Sequence, residues 1–155
     1  MKTHLDEVDV QLLGILQADG RITNADLAKR VGLSPPSVLQ RVRALEKAGL
    51  IKDYVALLDY DRLGLRITAW VHITLALHQE QPIERFRTQI QDLVEVLECY
   101  HVSGDYDFLL KVVVKDMKAY EQFVSRKLSR IRGIGKINTS FVFGVNKHTT
   151  QIPLQ

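Results

Sequence analysis

The chain has 155 residues, 46% of them apolar and 25% charged, values typical of a soluble globular protein of one or two small domains. Its net charge of +3 is too small to indicate a nucleic-acid-binding protein. The single cysteine, Cys99, excludes an intramolecular disulfide and a cysteine-rich zinc site, and no apolar segment approaches the ~20 residues that span a bilayer. We therefore expect a cytoplasmic protein that is not associated with a membrane.

Residues 6–49 have the spacing of three helices. Each predicted helix has a capping residue before it and a glycine after it, namely Asp6 and Gly20, Thr23 and Gly32, and Ser34 and Gly49. In the third helix Val38, Val42 and Leu45 share one face. Two helices around a glycine turn, with an apolar residue that fixes the second on the first, are typical of a helix-turn-helix. Plain helical bundles contain the same arrangement, so the motif alone leaves both structures open.

Positive charge is concentrated on the second and third helices. Residues 1–26 contain two cations and five carboxylates, a local balance of −3, whereas residues 27–52 contain six cations and one carboxylate, a balance of +5. Because salt screens charges beyond ~8–10 Å, the local balance governs attraction to phosphates more than the total does. This distribution favours DNA binding by these two helices.

Side chains that lie away from the apolar stripe of the third helix are the candidates for DNA contact. Glutamine can pair with adenine and arginine with guanine, whereas hydroxyls, cations and a helix N-terminus suit phosphate. We expect base or groove contacts from Ser37, Gln40 and Arg41, and phosphate contacts from Arg43, Lys47, Lys29 and Ser34. The alternative for each side chain is a solvated surface position without a function.

The second half predicts the order strand, helix, strand, strand, helix, strand. Residues 66–77, 94–102, 108–114 and 137–145 have strand composition, and Pro82 and Asp116 begin the two helices. Two helices over a four-stranded antiparallel sheet form the ferredoxin-like arrangement. The fold class is therefore α+β. We expect a winged-helix-like helix-turn-helix domain over residues 1–58, a linker over 59–65, and a ferredoxin-like βαββαβ domain over 66–155.

Two motifs, one in each half, resemble the Lrp/AsnC family of prokaryotic transcription regulators. The first is the helix-turn-helix stretch 27–35 (LAKRVGLSP), which follows a similar first helix, and the second is the stretch 102–111 (VSGDYDFLLK). The resemblance extends in order over nearly the whole chain and points to the family's leucine-responsive regulatory protein subgroup. It implies a sequence-specific regulator of amino-acid metabolism that binds double-stranded DNA.

The resemblance also implies dimers that form through the C-terminal sheets and assemble into octamers or related rings. An amino-acid effector would bind between C-terminal domains, along the turn after residue 102 and the last strand. By that similarity the candidate effector residues are Gly104, Asp105, Asp107, Thr139 and Ser140. Carboxylates, hydroxyls and backbone N–H groups beside a glycine are suitable partners for a zwitterion. A plain Gly-Asp hairpin turn without a ligand is the alternative.

The sequence contains no recognisable catalytic or metal-binding constellation. The five histidines lack metal-ligand spacing, and Cys99 has no base placed beside it in the sequence. We therefore expect no enzymatic activity, no metal and no cofactor other than the amino-acid effector. Two other functions remain open. One is a nucleoid-architectural protein that wraps DNA with little sequence preference, and the other is a small-molecule-binding or metabolic enzyme on the ferredoxin-like domain.

Overall fold

A computed structural model of the chain describes residues 5–77 and 80–154. The chain divides into two compact units, each with its own buried apolar cluster. The first unit holds the N-terminal residues through Leu57 together with the segment from Asn146 onward, and the second holds Leu58–Val145. The sequence-based division assigned the residues from 146 onward to the second domain, whereas in the structure they group with the first unit.

Three helices form the framework of the first unit: α1 (Glu7–Ala18), α2 (Asn24–Val31) and α3 (Pro35–Lys47). Asp6, Thr23 and Ser34 cap them, each accepting a hydrogen bond from the backbone N–H three residues later. Gly32 follows α2 with a φ of +70°, a left-handed conformation that glycine adopts without steric cost. The three capping predictions are confirmed.

The core of the first unit fixes α3 against the other two helices. Leu12 of α1, Leu27 of α2 and Val38 of α3 are at most 1% exposed and belong to one cluster. Val42 and Leu45 continue the buried stripe of α3, as their spacing predicted. One face of α3 therefore packs against the core, and the remaining face is exposed to solvent.

The second unit is a four-stranded antiparallel sheet with two helices. Its elements are β1 (Ile67–Leu75), α4 (Glu80–Ile90), β2 (Val96–His101), β3 (Phe108–Val114), α5 (Met117–Arg126), a 3-10 turn (Leu128–Arg130) and β4 (Ile134–Phe141). The strand order is β2-β3-β1-β4, so β1 lies between β3 and β4, and β2 and β4 are the edges. The predicted ferredoxin-like arrangement is confirmed.

The two faces of this sheet differ in their residues. Alternate residues of β1, from Ala69 to Leu75, pack with Phe86 of α4 and Phe123 of α5 in the core. The residues between them point to the opposite face because side chains alternate along a strand. We call this second surface the open face, and it carries Trp70, His72, Thr74, Leu109, Lys111, Asn138 and Ser140.

The predicted linker forms a hydrogen-bonded turn within the second unit. The Leu65 N–H donates to the Tyr60 carbonyl at 2.8 Å, and the Arg62 N–H donates to the Asp59 carboxylate at 3.1 Å. Residues 52–58 before it adopt neither helix nor strand. The boundary between the two units thus falls at residue 57, just before the turn.

Candidate nucleic-acid interface and effector site

Helix α3 separates its buried and exposed residues cleanly. Val38 is 0% exposed, whereas Ser37, Gln40, Arg43 and Lys47 are all exposed. The exposed side chains include an amide, a hydroxyl and two cations, which are the groups that bind base edges and phosphates. The structure therefore presents these four predicted residues to solvent on a helix whose position is set by its opposite face.

The two serines at the start of α3 are bonded to each other. Their hydroxyl oxygens lie 2.8 Å apart, and the Ser37 N–H donates to the Ser34 hydroxyl at 3.4 Å. Ser34 is thus the cap of α3, and its side chain orders the N-terminus of the helix. A helix N-terminus of this kind attracts an anion through its free N–H groups and its dipole.

Arg41 is held within the first unit by two carboxylates at the start of α1, the capping Asp6 and Asp9. Its guanidinium lies 2.7 Å from Asp6 and 2.8 Å from Asp9. The pKa of Asp6 is lowered, first by the hydrogen bond from the Asp9 N–H and then by Arg41, and the pKa of Arg41 is raised by its bonds to Asp6 and Asp9. Arg41 therefore ties α3 to the start of α1, and it would have to leave both carboxylates to contact a base.

Replacing Arg41 with Met is expected to destabilise the first unit at neutral pH. The pKa of Asp6 is lower in the folded chain than in the unfolded chain. The ionised carboxylate therefore stabilises the fold at pH values above its unfolded pKa, and this contribution is lost as the pH falls through its folded pKa. The stability gap between wild type and Arg41→Met should therefore narrow as the pH falls below the usual value of 3.8. Urea unfolding followed by the amide NMR signal of Leu12, at a series of pH values, measures that gap.

The matched control is Arg43→Met, since Arg43 is exposed on the same helix and makes no ion pair within residues 5–77 and 80–154. It should unfold like wild type at every pH. A gap for Arg41→Met that stays constant from neutral to acid pH would contradict the role of the Asp6 ion pair.

The remaining cations of the helix pair differ in their partners. Lys29 lies 3.1 Å from Asp26, with both side chains more than half exposed, so the pair contributes little to stability and can open at low cost. Within the described ranges, Arg43 and Lys47 have no carboxylate partner. These two cations are therefore free to bind phosphate, and Lys29 can do so by releasing Asp26.

The turn between β2 and β3 is fastened to the end of β1 by Asp107. The Asp107 N–H donates to the Ile73 carbonyl at 2.9 Å, and its carboxylate accepts a hydrogen bond from the Leu75 N–H at 2.7 Å. Gly104 and Asp105 lie at the exposed tip, with a φ of +118° at Gly104. The structure thus brings three of the predicted effector residues into one turn, where Asp107 organises the backbone and Gly104 and Asp105 face solvent.

The other two predicted effector residues point to opposite sides of the sheet. The Thr139 hydroxyl lies 2.5 Å from the Tyr120 hydroxyl of α5, on the helix side. Ser140, its neighbour in the edge strand β4, is exposed on the open face. Burial raises the pKa of Tyr120, so its hydroxyl remains protonated. Within one chain, Thr139 and Ser140 therefore do not line one surface together.

Sequence reasoning did not include His72 and Tyr106, which lie beside the turn, among the candidate effector residues. Their ring centroids are 4.5 Å apart, and His72 pairs across the sheet with Asn138. The buried Nδ1 atom of His72 has no hydrogen-bond partner within the described part of the chain. The sequence pattern could have identified His72, because polar residues recur at every second position of β1. This period of two places His72 on the open face with Thr74.

In the part of the chain that the structure describes, neither a metal centre nor a reactive thiol accompanies these sites. Among residues 5–77 and 80–154, no three His, Cys, Asp or Glu side chains are grouped so that they could hold a metal ion. Burial raises the pKa of Cys99, so its thiol is held in the weakly nucleophilic protonated form. The helices within the described residues are all too short or too polar to cross a membrane.

Two family models match the chain, one in its N-terminal part and one in its C-terminal part. Residues 5–52 match a winged helix-turn-helix DNA-binding model, and residues 68–152 match the Lrp/AsnC ligand binding domain. Among curated proteins, the leucine-responsive regulatory protein of Escherichia coli K12 is 42% identical over 151 residues, which cover 97% of this chain and 92% of that protein. The corresponding protein of Klebsiella pneumoniae is 41% identical over the same length.

Solved structures agree in fold over almost the entire chain. A transcriptional regulator of Neisseria meningitidis, crystallised in complex with L-Met, has a TM-score of 0.93 and 35% identity, with 97% of each chain covered. An AsnC family regulator of Agrobacterium tumefaciens has a TM-score of 0.90 and 38% identity, covering 96% of this chain and 97% of that one. The exposed recognition helix, the ferredoxin-like sheet and these likenesses together show that this chain is a DNA-binding transcriptional regulator of the Lrp/AsnC family.

Proposed function

We propose that this chain acts in the cytoplasm as a sequence-specific regulator of amino-acid metabolism, without catalytic activity, and that an amino acid modulates it. The observation that carries the proposal is α3, which combines a fully buried anchor at Val38 with exposed Gln40 and Lys47. A rigidly held helix with an amide and cations on its free face suits the major groove of DNA. The similarity to leucine-responsive regulatory proteins supports the same function.

For DNA contact we assign separate tasks to the residues of α2 and α3. Ser37 and Gln40 would contact base edges, while Arg43, Lys47 and Lys29 would contact phosphates. The N-terminus of α3, ordered by Ser34, would contribute a further phosphate contact. To Arg41 we assign a positioning task, since Asp6 and Asp9 already bind its guanidinium.

Gln40→Ala and Lys47→Ala should weaken DNA binding in two different ways. Loss of a base contact at Gln40 should cost about 1–3 kcal/mol on the specific site and little on random DNA. Loss of a phosphate contact at Lys47 should weaken both DNAs alike and reduce the salt slope by about 1. Fluorescence anisotropy at several salt concentrations measures both quantities.

Gln11→Ala is the matched control for the glutamine, because Gln11 is exposed on α1 rather than on α3. Its affinity should equal that of wild type on both DNAs. An equal loss on specific and random DNA for Gln40→Ala would remove Gln40 from the base-reading set.

For the effector we propose an amino acid bound at the turn that contains Gly104. Its ammonium group would bind the exposed Asp105 carboxylate, and its carboxylate would accept hydrogen bonds from the backbone N–H groups around Gly104. Asp107 would hold the turn in place through its bonds to β1. Thr139 and Ser140 lie on different faces of the sheet. Both could therefore contact the effector only where two copies of the chain meet.

A thermal shift assay with each of the twenty amino acids tests this assignment. A ligand at 100 times its Kd should stabilise the folded protein by about 2.7 kcal/mol. We expect one amino acid, or a few of similar side chain, to raise the melting temperature. The absence of a shift for every amino acid at millimolar concentration would contradict the amino-acid assignment.

We further propose that the chain forms dimers through the open face and that dimers assemble into octamers. Trp70, Leu109 and the ion pair between Lys111 and Glu98, at 2.9 Å, form a half-buried surface that a second copy would cover. Dimers would present paired recognition helices to half-sites separated by whole helical turns, ~10–10.5 bp or multiples. Sedimentation of wild type and Trp70→Glu, which places a charge on that face, tests the dimer contact.

A further inference from the structure

An apolar groove runs along one side of the first unit. It is formed by Leu5, Leu13 and Leu16 together with residues 50–54 after α3, and we call it the tail groove. It contains a half-open cavity of about 290 Å³. Ile152 and Leu154, at the other end of the chain, form the remaining wall. The groove is therefore built from α1 and the chain that follows α3, and the C-terminal segment, residues 146–154, closes it with Ile152 and Leu154.

The C-terminal segment is held by a directed pair of hydrogen bonds. The Gln17 amide nitrogen donates to the Ile152 carbonyl at 3.2 Å, and the Gln17 amide oxygen accepts from the Ile152 N–H at 2.7 Å. One side chain thus satisfies both backbone groups of a residue that belongs to no helix or strand. Leu154 is half-buried against the apolar cluster of the first unit. Together these contacts fix the position of the segment along the groove.

Within the described residues, the hydrogen bonds that join the segment to the helices all involve Gln17, so its docking can open without unfolding the unit. The Ile152 side chain is 66% exposed even though its backbone is bonded. Docking therefore rests on the two Gln17 hydrogen bonds and on the packing of Leu154. Local openings of such weakly held segments have a much lower free energy than global unfolding.

We propose that the C-terminal segment is an intramolecular ligand of the tail groove that restrains the DNA-binding unit. The chain leaves this unit after Leu57 and returns to it at Asn146, so a docked segment ties the unit to the rest of the chain at a second point. When two units of one oligomer bind DNA together, a unit that is already restrained loses less conformational entropy than one that moves freely. The inference thus rests on the proposed binding of an oligomer to paired half-sites.

The full-length variant Gln17→Leu tests the proposal, with Gln11→Leu as its control. Gln11 is exposed on the same helix and makes no hydrogen bond to the segment in the described part of the chain. Leu154→Asp provides a second disruption at the other contact. We expect the Ile152 amide to exchange its hydrogen slowly in wild type and Gln11→Leu, and at least about tenfold faster in Gln17→Leu.

DNA affinity supplies the second readout. For Gln17→Leu and Leu154→Asp, affinity for DNA with two half-sites should fall about tenfold, while affinity for one half-site stays within about twofold of wild type. Equal Ile152 exchange in all variants, or equal losses on the two DNAs, would overturn the proposal. Failure of wild type to bind either DNA would instead contradict the proposed function, because the exchange measurement involves no DNA.

Discussion

Val38→Asp is expected to abolish DNA binding while leaving the second unit folded. Val38 is 0% exposed, so the new carboxylate would be buried without a partner in the core of the first unit. The penalty for such a charge is on the order of several kcal/mol, which is comparable with the stability of a small domain, about 5–15 kcal/mol. The second unit has a separate core and should keep its response to the effector. Anisotropy with labelled DNA and the amino-acid thermal shift measure the two effects.

Val94→Asp provides the matched control because Val94 is 82% exposed in the second unit. It introduces the same charge at a solvated position and should bind DNA as wild type does. Binding by Val38→Asp within about twofold of wild type would show that α3 does not depend on this anchor.

Gly104→Val is expected to remove the effector response while leaving DNA binding intact. Gly104 has a φ of +118°, a conformation that β-branched residues rarely adopt, and the strain would be about 1–3 kcal/mol. A Cβ at this position would meet no atom within 4 Å, so the strain lies in the backbone and not in a clash. The turn would relax and redirect the N–H groups that we assign to the effector carboxylate. Calorimetric titration with the amino acid that shifts wild type measures the loss.

Gly144→Val is the control for this substitution. A Cβ at Gly144 would also meet no atom within 4 Å, and no positive φ constrains the residue. The effector should bind to Gly144→Val with wild-type affinity. Wild-type titration curves for Gly104→Val would contradict the assignment of the effector to this turn.

Local features of this chain were predictable, because the interactions behind them span only a few residues. The caps at Asp6, Thr23 and Ser34 each bond a backbone N–H three residues away, and the glycine after α2 adopts the left-handed conformation that ends the helix. The strand order of the second unit was predictable from the order of strands and helices along the chain, because few topologies bury both helices on one face of the sheet.

Features that depend on distant contacts were not predictable in the same way. Arg41 bonds to carboxylates 32 and 35 residues earlier, so its role as a tie between helices is visible only in the folded chain. Ile152 lies 135 residues from Gln17, and the segment around it has no periodicity that predicts a docking site. The opposite directions of Thr139 and Ser140, in contrast, were predictable, because adjacent residues of any strand point to opposite faces of the sheet.

Footprinting on the DNA upstream of the protein's own gene, with and without amino acids, tests the central claim most directly. A sequence-specific regulator should protect discrete segments whose centres are spaced by whole helical turns, ~10–10.5 bp or multiples, and one amino acid should change that pattern. Uniform protection would indicate an architectural protein that wraps DNA. The absence of protection at low salt would contradict DNA binding through α3 altogether.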